Sequence, residues 1–152
     1  MTINKAENPS TSEEGGSDVE IGTSENGILT VNFTKPLNAQ NIYPSDDELV
    51  HGFTITNNSN RTVVYNVNLI NVTNTFTSNN FVYRIVKDNQ TLVNETVAPK
   101  TDTNLLSDLV IYPGETATFS INYKLIDIGS EQNYDQGKNY SGTVEIEIVS
   151  AR

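Results

Sequence analysis

His51 is the only histidine in the chain, so any general base or Ser-His-Asp arrangement that needs an imidazole converges on that one residue. It lies in Leu49-Val50-His51-Gly52-Phe53, the start of a strand-like run with no accompanying motif, and reads as structural. A single histidine and no cysteine exclude zinc sites built on paired histidines or thiolates, and with them disulfides and thiol catalysis. The carboxylates offer more. Asp46-Asp47-Glu48, after Tyr43-Pro44-Ser45, is the densest acidic cluster of the folded part. Hard cations such as calcium gather clustered oxygen ligands, so Asp46, Asp47 and Glu48 are the candidate calcium ligands; the sequence implies no other cofactor. Asp127, Glu131 and Asp135, with the turn-forming Gly129, make a second acidic loop. Neither loop has the DxDxDG pattern, and both suit a solvated connector equally well. Glycoside hydrolysis needs two acids facing each other across a cleft, whereas Glu145 and Glu147 fall on one face of one strand and cannot bracket a bond.

Asn32, Asn57, Asn60, Asn71, Asn89, Asn94 and Asn139 each open an Asn-X-Ser/Thr sequon and are candidate glycosylation sites in a source that makes N-glycans. A chain this rich in Asn and Thr also generates sequons by chance. Lys35 near the first strand and Asn139 near the last have the residue types of an intramolecular isopeptide pair, which would also need a buried acid between them. Tyr134 and Tyr140 flank one polar loop and could stack on sugar rings, in a chain without tryptophan.

These residues must be positioned by strands. Thr143-Val144-Glu145-Ile146-Glu147-Ile148 alternates aliphatic with polar, which puts Val144, Ile146 and Ile148 on one face and the acids on the other. The same period of two recurs at Ala117, Phe119, Ile121, Tyr123 and at Val63, Tyr65, Val67, Leu69, and no helix-length window shows 3.6-residue spacing. Strands are expected from 28 to 34, 49 to 56, 62 to 73, 81 to 86, 91 to 97, 105 to 112, 115 to 125 and 140 to 149. Lys35-Pro36 is expected to break the ladder, since proline offers no N–H. Tyr112-Pro113-Gly114-Glu115 has the pattern of a type II turn joining strands that cross between two sheets. The fold expected is all-β, an antiparallel two-sheet sandwich of jelly-roll or Ig-like type with about eight strands, spanning 27–152.

Residues 1–26 are polar, acidic and Ser/Gly-rich, and read as a flexible tail whose only strand-like patch is Val19-Glu20-Ile21. That patch would order by borrowing a sheet edge. Nine Lys and Arg against 19 Asp and Glu give a net charge of −10, which repels phosphate backbones and anionic membranes, so nucleic-acid partners are not expected. No apolar run is long enough to span a bilayer, and no secretory leader follows Met1, so no membrane insertion by this chain is expected.

Five stretches resemble the TasA/camelysin-type extracellular β-sandwich proteins: Gly27-Ile28-Leu29-Thr30-Val31, Ile42-Tyr43-Pro44-Ser45-Asp46-Asp47-Glu48, Phe53-Thr54-Ile55-Thr56-Asn57, Val110-Ile111-Tyr112-Pro113-Gly114-Glu115-Thr116 and Gly137-Lys138-Asn139-Tyr140-Ser141-Gly142-Thr143-Val144. The resemblance covers roughly residues 27 to 149. It implies a secreted jelly-roll-like sandwich that builds surface or matrix fibres, in which the N-terminal segment of one subunit completes the sheet of the next. Some family members are described as metallopeptidases; no zinc motif stands here to carry that activity over. The function expected is a non-enzymatic extracellular or cell-surface module whose partners are further copies of itself, as a homo-polymer, or other surface proteins, with Val19, Glu20 and Ile21 as the donated strand. A virion surface protein is the second reading, and a carbohydrate-binding module the third.

Overall fold

The computed structural model describes residues 19–23, 29–31, 34–39 and 44–152. Among them are ten strands: β1 (Val19–Thr23), β2 (Leu29–Val31), β3 (Thr34–Ala39), β4 (Leu49–Asn57), β5 (Val63–Asn74), β6 (Phe81–Lys87), β7 (Gln90–Val97), β8 (Thr103–Ile111), β9 (Thr116–Leu125) and β10 (Tyr140–Ala151). They form a six-stranded sheet in the order β2-β1-β4-β9-β6-β7 and a four-stranded sheet in the order β3-β10-β5-β8. The expected all-β two-sheet sandwich is therefore the observed architecture.

Three details differ from the sequence reading. The pairing is antiparallel except between β1 and β4, which run parallel. Val19–Thr23, read as part of a tail, is a strand of the chain's own six-stranded sheet, and β3 is a strand where a break was expected. Pro36 sits within β3, opposite Thr143. Proline is tolerated there because, among the described residues, β3 is an edge strand with no neighbour on its outer side to receive an N–H.

The alternation buries what it should. Tyr65, Val67 and Leu69 of β5, Val144 and Ile146 of β10, and Phe119, Ile121 and Tyr123 of β9 meet between the sheets. At one end the filling is aromatic: Phe76 stacks on Phe81 with centroids 4.5 Å apart, and Phe81 in turn on Tyr123 at 5.5 Å. Aromatic rings bury large areas and dominate the energetics of a core. The β6–β7 hairpin turns through Asp88 and Asn89, both at positive φ (50° and 67°), as a two-residue loop requires if it is to follow the strand twist. The other links from β4 onward cross between sheets. The β8–β9 corner is the expected turn: Gly114 has φ of 82°, and the Glu115 N–H donates to Tyr112 O at 3.0 Å.

Candidate functional site

The residues singled out for chemistry are scattered and mostly occupied. His51 stands edge-on to Tyr123, centroids 5.8 Å apart, at the rim of the aromatic cluster. Asp46 and Asp47 are exposed, but the Glu48 carboxylate is gripped by Arg84, with Nε at 2.6 Å and Nη2 at 2.8 Å. That hydrogen bond, opposed by partial burial and aided by the charges of Arg84 and Lys124, holds Glu48 below its ordinary range. Glu48 is thus engaged apart from Asp46 and Asp47, and among the described residues no three His, Asp or Glu side chains converge as a metal group. The second acidic loop is also taken apart. Asp135 is 2% exposed and accepts hydrogen bonds from Ser78 Oγ (2.6 Å), Gln132 Nε2 (2.9 Å) and Asn80 Nδ2 (3.1 Å). It pins the β9–β10 link to the β5–β6 link instead of facing solvent.

Other expectations are corrected by burial or register. Tyr140 is buried, with Tyr123 donating to its hydroxyl at 3.3 Å, and burial pushes its phenol up to about 12; only Tyr134 of the proposed sugar platform is exposed. Lys35 lies opposite Val144, and Asn139 precedes Tyr140, so about 16 Å of strand separates the isopeptide candidates, beyond a lysine's reach. Glu145 and Glu147 do share one outer face, where Asn68 donates to both and Asn66 to Glu147. Of the sequons, Asn60, Asn71, Asn89, Asn94 and Asn139 are exposed, and Asn32 lies outside the described residues. Asn57 is fully buried and cannot accept a glycan.

Asn57 is instead the knot of one end of the sandwich. Its Nδ2 donates to Arg61 O (2.8 Å) and Ile111 O (3.0 Å), and its Oδ1 accepts from Ser59 N (3.0 Å) and Ser59 Oγ (2.6 Å). Its backbone holds the Pro113-Gly114 corner through Glu115 O and Gly114 N, while the next N–H, of Asn58, donates to Ile21 O at 2.9 Å. A single asparagine thus joins β4, the β4–β5 turn and the β8–β9 corner, beside the strand that carries Ile21. Its placement after a strand, followed by Asn58-Ser59-Asn60, signalled a turn but not its burial.

The sheet edges decide where another strand could pair. β3 carries Pro36, and β2 is only three residues long. The pairings of β7 and of β8 are each interrupted by two register shifts, and Asp108 of β8 has φ of 57°. Proline, shortness and bulges are the devices that blunt edges against addition. Inside the sheet, β1 is held to β4 by three residue pairs, Val19↔Ile55, Glu20↔Thr56 and Ile21↔Asn57, whereas β4 and β9 share eight. Ile21 is 0% exposed and belongs to the core; Glu20 faces solvent. Parallel pairs are also the less stable kind per residue. The predicted donor residues therefore occupy a short, parallel seat against β4 within their own chain.

These features define a two-sheet β-sandwich with blunted outer edges and one lightly held inner strand. No family model, curated protein or solved structure matches the chain.

Proposed function

We propose that this protein is a non-enzymatic extracellular structural module that assembles with copies of itself by exchanging β1, the strand of one copy taking the seat beside β4 of the next. The observation that carries this reading is the seat itself: three parallel pairs with β4, three antiparallel pairs with β2, the Asn58 N–H bond to Ile21 O and one buried side chain, Ile21, are what the described contacts give up when β1 leaves. Because the four outer edges are blunted, assembly by strand pairing proceeds by replacing β1 rather than by adding a strand outside it. A refilled seat restores the pairs and the Ile21 burial in full, so the exchange costs little once a second copy is present. The extracellular setting comes from the resemblance to TasA/camelysin-type sandwiches.

Deletion of residues 1–26 tests it. The truncated chain is expected to keep a folded β spectrum and lose assembly, and a synthetic peptide of residues 17–25 is expected to bind it. Fibres of undiminished length from the truncated chain would sink the reading.

A further inference from the structure

If β1 is exchanged, the chain dictates where the second copy must stand. β1 runs parallel to β4 with Ile21 opposite Asn57, so Thr23 leaves at the Asn57 end of the sandwich, and Leu29 of β2 is its register partner there. Five residues, 24–28, join them. Fully extended, that link spans about 20 Å. β2 is tethered more tightly still: two residues separate Val31 in the six-stranded sheet from Thr34 in the four-stranded sheet, about 11 Å of chain across a layer spacing of about 10 Å. β2 therefore stays with its own copy. The Thr23 seat of the neighbour must then lie within about 20 Å of Leu29, which brings the Asn57 ends of the two copies side by side.

The same end carries exposed apolar side chains. Val64 pairs with Val110 on one side and with Ser150, next to Val149, on the other, on the outer face of the four-stranded sheet. Val110, Val149 and Tyr112 are 40%, 48% and 56% exposed. Tyr112 opens the corner that Asn57 holds. The charge is also favourable there. Among the described residues, Arg61, Lys87 and Arg152 stand with Glu20, Asp88, Asp108 and Glu115 around this end, close to balance in a chain of net charge −10. Asp46, Asp47, Asp127 and Glu131 gather toward the opposite end, where Pro44 and Ser45 bond to Leu125. Like-with-like contact is thus least repelled where the tether brings copies together.

We infer that a second copy of this chain docks at the Asn57 end, on the stripe formed by Val64, Val110, Tyr112 and Val149. This inference rests on the exchange reading above and adds a contact that strand exchange alone does not require. Two copies meet with like ends adjacent, and the stripe is covered in the assembly and exposed in the monomer.

The chain has no cysteine, so single engineered cysteines report contacts without background. Glu20 and Thr56 are parallel partners, both solvent-facing, at a separation a disulfide accepts. Mixing mass-tagged Glu20→Cys with untagged Thr56→Cys under oxidation is expected to give covalent heterodimers. The same mixture with Tyr112→Lys and Val149→Lys in both chains is expected to lose at least tenfold of that yield, while each variant stays monomeric and folded. Tyr112→Cys alone should form homodimers only under assembly conditions. Unchanged heterodimer yield in the lysine background overturns the docking stripe and leaves the exchange reading standing. Absence of heterodimers in both backgrounds overturns the exchange reading and this inference with it.

Discussion

Replacing Asn57 with alanine removes four hydrogen bonds from a site with no solvent to take them up. At about 1 kcal/mol for each bond, the loss is about 4 kcal/mol. A domain of this kind has roughly 5–15 kcal/mol in total, so the variant should stand near the edge of folding. In urea, with a slope of about 2 kcal/mol per molar, the midpoint should fall by about 2 M. Equilibrium unfolding followed by far-ultraviolet circular dichroism measures it directly. Asn60→Ala, an exposed sequon three residues away, is the matched control and should change stability by less than about 0.5 kcal/mol. A shift under about 0.5 M for Asn57→Ala would refute the claim that one buried amide knots this end of the sandwich.

Tyr65 is fully buried and its hydroxyl has no hydrogen-bond partner among the described groups, so Tyr65→Phe should be neutral or stabilising within about 1 kcal/mol by thermal unfolding. Burial raises the carboxyl of Asp135, but the bonds from Ser78, Gln132 and Asn80 and the charge of Lys138 outweigh it and hold the group below its ordinary value. A lowered folded-state value means stability that is present above the unfolded value, about 3.9, and is lost as the pH falls through the folded one. The thermal midpoint should therefore drop on acidification below about pH 4, and Asp135→Asn should flatten that dependence. Gly142 and Gly52 make a contrasting pair. A Cβ at Gly142 would meet Leu69 Cδ1 at 3.1 Å, whereas at Gly52 the nearest atom is Phe119 O at 3.6 Å. Gly142→Val should cost about 1–3 kcal/mol in urea unfolding, and Gly52→Val should be tolerated.

Period-two alternation was enough to read the inward faces, because burial between two sheets depends on local parity: Val144, Ile146, Phe119, Ile121, Tyr65 and Leu69 all point inward as expected. What alternation could not tell is which strand lies next to which. Pro36 reads as a breaker until β3 is known to be an edge, and Val19–Ile21 reads as a loose patch until β4 is seen beside it. Polar residues misled for a related reason. Asn57 and Asp135 have the composition of turns and loops and Tyr140 opens an expected strand, yet each has a partner 54 or more residues away: Ile111 O, Ser78 Oγ and the Phe81 ring. Their burial is a property of the meeting of two sheets and leaves no local signature. The Pro113-Gly114 corner was legible because the backbone conformation it needs is specific to those two residue types.

Electron microscopy of the purified full chain beside its Ile21→Asp variant tests strand exchange most directly. Ile21 is 0% exposed in its seat against β4, and a carboxylate there must stay unseated in either its own or a neighbouring copy. Fibres from the wild-type chain and only monomers from a still-folded variant are the predicted result. Monomers from both, or fibres from the variant as long and as many as from the wild type, would contradict it.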